Sequence, residues 1–182
     1  MKRALPWLLT AALLAAAWLV AFATPDDSAS VEPFVVPAAI GEEAMGREFA
    51  LTVQQVRISD GVNAPNGWSA DGTWLLVDVD VRSTLEQTGS LLGGAELTIG
   101  DRSFRASERM PSMFREQVVT GVSRTGMLAF ELPGDVLTGT GVLRLSLDDD
   151  TRADSVAELR IDLDELERVS DAEIVATDWT NP

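Results

Sequence analysis

The sequence contains no cysteine, no histidine and no tyrosine, and its lysine is Lys2 alone. Without cysteine there is no disulfide, no thiolate nucleophile and no cysteine-linked lipid anchor. Without histidine the commonest general base and the commonest metal ligand are both missing. A Ser-His-Asp or Cys-His arrangement is therefore impossible, and zinc, which favours His and Cys ligands, is disfavoured. Lys2 precedes the first apolar segment, so a Ser-Lys pair in the rest of the chain is excluded too. Carboxylate chemistry is what remains, and the expectation is a protein without enzymatic activity and without a cofactor. Positive charge is also scarce: 14 basic residues face 29 acidic ones, for a net charge of −15. Such a surface repels nucleic acid and anionic lipid head groups, so no nucleic-acid partner is expected.

One long apolar run is present. Ala4 to Ala23 carries no charge, and about 20 helical residues span about 30 Å, the thickness of a hydrocarbon core. Lys2 and Arg3 before it, and Asp26 and Asp27 after it, place the N-terminus in the cytoplasm and the remainder outside. The run exceeds the roughly 7–15 apolar residues of a cleaved signal, which favours a retained single-pass anchor in the cytoplasmic membrane. The alternative is a secreted protein, cut after Ala23 at Ala21-Phe22-Ala23. Residues 24–46 read as a linker with Pro25, Pro33 and Pro37 and several carboxylates. Within it Phe34-Val35-Val36 is apolar enough to dock as a strand, and the flanking prolines restrict it to a sheet edge.

The strongest strand is Gly72 to Ser83. Leu75, Val77, Val79 and Val81 share one face, and Trp74, Leu76, Asp78, Asp80 and Arg82 share the other. Strict alternation of this kind marks a strand with one buried face, and Asp78 and Asp80 then belong to a wet surface. Upstream, Phe49, Leu51 and Val53 alternate until the phase slips at Gln54-Gln55, the mark of a β-bulge. Residues 59–71 read as a polar loop. Gly100-Asp101 joins two alternating runs as a hairpin turn. Met127–Leu132, Leu143–Leu147 and Leu159–Leu163 complete the set, and an acidic tail follows as short helix, frayed strand or disorder. Short strands at near-regular spacing predict an all-β, immunoglobulin-like antiparallel sandwich of about seven to nine strands, preceded by one N-terminal transmembrane or signal helix. The divisions are 1–23, 24–46, 47–163 and 164–182.

Four short motifs carry a resemblance. Ile40-Gly-Glu-Glu, Phe49-Ala-Leu-Thr-Val-Gln-Gln-Val, Gly72-Thr-Trp-Leu-Leu-Val-Asp-Val-Asp-Val and Thr125-Gly-Met-Leu-Ala-Phe-Glu-Leu-Pro133 resemble the DUF4352-type immunoglobulin-like domain of secreted and membrane-anchored proteins of Gram-positive bacteria. The MPT63 antigen is similar in shape. The likeness covers residues 40–163 and departs at Ser83 and Thr84, where the family usually has Asn. It implies an extracytoplasmic β-sandwich and brings no catalytic residues.

Two segments offer chemistry. Asp148, Asp149, Asp150 and Asp154 gather four carboxylates in seven residues, a candidate Ca²⁺ loop. Counted from Asp148, the sixth and twelfth positions hold Ala153 and Leu159 instead of the Gly and Glu of an EF-hand, and a solvated Asp-rich turn is the competing reading. Residues 102–124 are the net-positive part of the chain beyond the apolar run. Arg105, Arg109, Met110, Met113, Phe114 and Arg115 form a candidate protein-partner surface, since Arg, Met and aromatic residues are enriched at interfaces. The competing reading has Met110, Met113 and Phe114 plug one end of the sandwich while the arginines pair with the acidic surface. The function expected is a non-enzymatic interaction module outside the cytoplasmic membrane, tethered through Ala4 to Ala23 and binding a protein partner. The alternative is a secreted or anchored binder of a small ligand or Ca²⁺.

Overall fold

The computed structural model describes residues 5–23, 32–84, 90–152 and 154–180. The charges at Lys2, Arg3, Asp26 and Asp27, the first part of the expected linker and residues 85–89 of the loop before Gly93 lie outside the described residues. The chain forms two units, 1–32 and 33–182.

In the first unit a helix, α1, runs from Leu5 to Ala23 with no charge in its first or last turn. Trp7, Leu9, Leu13, Trp18, Leu19 and Phe22 are all exposed, so apolar side chains are presented around the whole helix. Trp18 stacks on Phe22 one turn later, with ring centroids 5.5 Å apart. A helix apolar on every side lacks the polar face of a globular surface helix. Counting only described residues, no helix is long and apolar enough to cross a membrane.

The second unit is built from strands. In chain order they are β1 (Phe34–Ala38), β2 (Glu43–Met45), β3 (Phe49–Asn63), β4 (Ser69–Ser83), β5 (Ser90–Leu91), β6 (Gly94–Ile99) and β7 (Arg102–Arg105). Then come β8 (Gln117–Val118), β9 (Arg124–Leu132), β10 (Thr140–Ser146), β11 (Ser155–Asp162), β12 (Glu167–Val169), β13 (Ala172–Glu173) and β14 (Asp178–Trp179). The first sheet has the order β1-β11-β10-β6-β7, and the second β12-β3-β4-β9-β14, with β2 and β13 also paired to β3. Their facing sides form one core. Leu51, Val53, Leu75, Val77, Val79, Leu128 and Phe130 of the second sheet meet Leu97, Leu143, Leu145 and Leu159 of the first. At about 1.5–3 kcal/mol for each large apolar side chain removed from water, this double layer is the main source of stability.

The local signals in the sequence map onto this frame. The register of β3 against β4 shifts between Val53 and Gln55, where the phase slip lies, and again between Ser59 and Gly61. The second bulge was not legible. Asp60-Gly61 looks like a turn, but β3 absorbs it and runs on to Asn63, so the loop expected over 59–71 shrinks to 64–68. Gly100, at φ +60°, turns the β6–β7 hairpin.

β1 lies at the edge of its sheet, as its prolines require. Phe34 N–H donates to the Asp154 carbonyl at 2.8 Å. Alternation along the strand then turns the backbone of Val35 and Pro37 away from β11, where the missing proline N–H leaves no gap in the ladder. The pairing is parallel, as are those of β12 and β13 with β3. The antiparallel expectation thus fails at the margins, because these strands reach their neighbours by crossing connections rather than hairpins. The sandwich also extends beyond 47–163 at both ends, taking in β1 and β2 before it and β12, β13 and β14 after it.

The largest departure is the second face of β4. Trp74 and Leu76 are fully buried. With Val62, Met110, Met127, Ala129, Ala172 and Ile174 they form a second apolar cluster outside the sandwich. Asp78 and Asp80 on the same face are half-buried rather than wet, and Asp78 pairs with Arg57 of β3. The face expected in water is covered by the tail and by the loop before β8.

Candidate functional site

Four segments meet at one end of the sandwich: the start of β3, the β5 region, the loop before β8 and the turn between β10 and β11. Their meeting depends on Gly93 and Gly94. Gly93 N–H donates to the Leu147 carbonyl at 3.1 Å. A Cβ on Gly93 would stand 2.9 Å from that oxygen, and one on Gly94 only 1.9 Å from Ser146 Oγ. The absence of two side chains is what lets this segment press against the 146–149 turn. Leu92 is buried in the core and anchors it. Its N–H donates to Glu116 and its carbonyl accepts from Arg115 N–H.

Arg115 is, among the described residues, the one non-glycine with positive φ, at +62°. A conformation of this kind costs on the order of 1–3 kcal/mol and persists where its surroundings impose it. Here the backbone bond to Leu92 and the packing of its guanidinium 5.5 Å from the Phe114 ring impose it. Arg115 Nη2 lies 3.7 Å from Asp149 Oδ2, and Arg105 Nη2 lies 3.3 Å from Asp149 Oδ1. Arg115 Nη1 also reaches Glu108 at 3.3 Å. The two candidate segments of the sequence therefore converge on Asp149, which lies more than thirty residues beyond both arginines. These pairs are about half exposed, so each contributes roughly 0–1 kcal/mol. They set shape and potential more than stability.

Beside Asp149 is a cleft of about 410 Å³, lined by Glu48, Ser90, Leu91, Gly93, Arg115, Leu147, Asp148 and Asp149. Leu91 is 49% exposed on its wall. A smaller hollow of about 170 Å³ on the other side of Asp149 is bounded by Glu96, Arg105, Arg144, Ser146 and Thr151.

The Asp-rich turn is otherwise engaged with itself. Asp148 Oδ1 accepts Asp150 N–H at 3.0 Å. Asp150 grips Arg152 through Nε at 2.8 Å, and that hydrogen bond lowers its pKa to about 2. Asp154 accepts Ser155 N–H at 2.7 Å. Among the described residues no group of three or more acidic side chains is placed to hold a metal ion, so Asp148, Asp149, Asp150 and Asp154 are not gathered as a Ca²⁺ loop would gather them.

The predicted partner surface is divided. Met113 and Phe114 belong to the main core, which is the plug of the competing reading, and Met110 is buried in the outer cluster with Trp74. None of the three is available as a contact residue. Arg109 turns away, pairing with Glu131 at 2.8 Å and stacking over Trp68 at 5.3 Å. Arg115 remains at the cleft, and Arg105 at the smaller hollow across Asp149. No period runs through residues 107–124, so the sequence carried no signal for which side chains turn inward. Glu48 had no signal either, and of Leu91 and Leu92, which as the leucines of the loop at 84–94 read as inward-facing, Leu92 is buried and Leu91 is exposed.

Glu48 has its pKa raised, first by burial and then by the charges of Asp154 and Asp148. A raised carboxylate binds its proton more tightly in the folded than in the unfolded state. Stability therefore falls as pH rises through the window between the unfolded and folded values. Glu48→Gln is expected to raise the melting temperature at pH 7, with the gain fading as pH drops below the ordinary glutamate range. Melting curves of both proteins from pH 3 to pH 8 check this, and a gain that grows on acidification would contradict it.

No family model and no curated protein matches the chain. Among solved structures it is similar to an uncharacterized β-sandwich protein from Clostridium difficile 630, with TM-score 0.46 and 12% identity, covering 70% of this chain and 95% of that one.

Proposed function

We propose that this protein is a non-enzymatic, extracytoplasmic interaction module, held at the cytoplasmic membrane by its N-terminal segment, with the loop-end cleft as its protein-binding site. The observation that carries the reading is the convergence of four chain segments on Asp149 between Arg105 and Arg115, beside the exposed Leu91. The topology supports an immunoglobulin-like assignment. β3-β4-β9 facing β11-β10-β6-β7 follows the A-B-E and G-F-C-C′ order of such sandwiches. The cleft then lies at the B–C and F–G loops, the contact end of variable domains, which fits the resemblance to the DUF4352-type domain. The tether rests on the uncharged run Ala4 to Ala23 behind Lys2 and Arg3, and on the apolar side chains all round α1.

A photo-crosslinking residue in place of Leu91 is expected to capture a discrete protein adduct in whole cells. The same residue in place of Arg160, 76% exposed at its side chain and away from the cleft, is expected to capture none. Arg115→Glu is expected to reduce the Leu91 adduct about tenfold or more and to shift the melting temperature by only a few degrees. Equal labelling at both positions would refute the assigned surface. In the same cells the intact mass is expected to include residues 1–23, and a mature start at Thr24 would refute the tether.

A further inference from the structure

Residues 172–180 cross the outer face of the second sheet as a strap. At one side β13 joins β3 at Val62 and Asn63, and Ile174 N–H donates to the Asn63 carbonyl at 2.7 Å. At the other, β14 pairs with Thr125 and Arg124 of β9, and Thr180 N–H donates to the Ser123 carbonyl at 2.9 Å. β4 lies between β3 and β9, so the residues between these anchors pass over it. Ile174 is fully buried in the cluster of Trp74, Leu76 and Met127. Thr177 Oγ1 accepts from Arg124 Nη2 at 2.7 Å, and the Trp179 ring lies 4.8 Å from the Arg124 guanidinium.

Between the anchors the fit is incomplete. A cleft of about 240 Å³ remains between Val175 and Ala176 on the strap and Gln54, Arg57, Asp78 and Met127 on the sheet. That is room for several waters, or for a side chain far larger than that of Ala176. The cleft opens to solvent, and Ala176 is exposed at its rim. Val175 is 61% exposed, and the strap's ladder pairing is two residues long at each end.

We infer that the strap is a peptide held in cis on a docking groove, and that the groove accepts an extended segment of a partner protein in its place. The strap gives the partner's pattern: a branched apolar residue where Ile174 lies, a hydroxyl residue where Thr177 lies and an aromatic where Trp179 lies. At the place of Ala176 the partner carries a longer side chain that fills the cleft beside Arg57 and Asp78. Main-chain pairing supplies affinity and the pockets supply selectivity, as in other sheet-docked peptides. The strap competes for the groove and sets the threshold a partner must exceed.

The test uses the full-length chain. Ile174→Asp removes the buried anchor and is expected to free the strap and lower the melting temperature, because Trp74 and Leu76 lose part of their cover, while the sandwich still melts cooperatively. A labelled peptide of residues 170–180 with the natural sequence is then expected to bind this variant saturably at 1:1, and the wild-type chain at least about tenfold more weakly. A peptide with leucine in place of Ala176 is expected to bind about tenfold more tightly than the natural one, for the methyl and methylene groups it buries. A folded variant that binds neither peptide overturns the inference. So does unfolding of the whole domain by Ile174→Asp, which would make the strap part of the core. Native-state hydrogen exchange on the wild type tests the same point without a variant. The Ile174 and Thr180 amides are expected to exchange through an opening that leaves β4 and β9 protected. Exchange only through global unfolding refutes a displaceable strap.

Discussion

Replacing Trp74 with alanine is expected to destabilise the domain by about 3–5 kcal/mol, the range for removing a large aromatic from a core. The residue has no exposed surface. It lies on the outer face of β4 beneath Met110 and Ile174, and meets Trp68 edge to face at 6.0 Å. At about 2–4 °C per kcal/mol for a domain of this size, the melting temperature falls by roughly 6–20 °C. Trp74→Phe is a sharper probe. The indole N–H is buried with no acceptor among the described residues, and an unmet buried donor costs about 1–3 kcal/mol. Phenylalanine loses volume but removes that donor, so its net loss is expected to stay below about 1.5 kcal/mol. Chemical denaturation of the three proteins measures both values. An alanine variant within 1 kcal/mol of wild type would mean that the outer face of β4 is not a second core.

Gly94→Val is expected to be the most damaging single change at the cleft. The new Cβ would stand 1.9 Å from Ser146 Oγ, 3.1 Å from the Asp148 carbonyl and 3.2 Å from Ser146 Cβ. Two of these neighbours can move only with the end of β10. Overpacking of this kind costs about 1–3 kcal/mol and occasionally more. Gly94→Ala falls in that range, and valine lies above it. The added side chain pushes the 92–94 segment off the 146–149 turn and distorts the cleft they frame, so the cross-link at Leu91 is expected to weaken sharply. Ser146→Ala removes the nearest contact, so the double variant with Gly94→Ala is expected to recover part of the loss, a coupling that distant sites do not show. Gly100 is the control. It has positive φ but nothing within 4 Å of an added Cβ, so Gly100→Ala costs only the conformational strain of the turn, about 1 kcal/mol. Equal losses at Gly94 and Gly100 would show that close approach is not what Gly94 provides.

Both results separate what was legible from what was not. The inward face of β4, the first bulge in β3, the β6–β7 hairpin and the edge position of β1 were readable, because each follows from a rule acting over a few residues. Side chains alternate with period two along a strand, a slipped phase needs an extra residue, and proline cannot donate to a ladder. The candidate site was half readable. Arginines at 105 and 115 and carboxylates at 148–154 stood out as separate groups, but nothing in either segment showed that Asp149 stands between two of those arginines.

What the sequence by itself determined is therefore the β-rich architecture, its acidic surface and the absence of histidine, cysteine and lysine chemistry beyond the first apolar run. Only the tertiary structure decided which faces are covered and which charges meet. Trp74 and Leu76 sit on the same pattern that would leave them in water, and they are dry because Met110 and Ile174 arrive from distant parts of the chain. Period and composition describe a strand's own geometry, whereas coverage and pairing depend on neighbours that topology brings together.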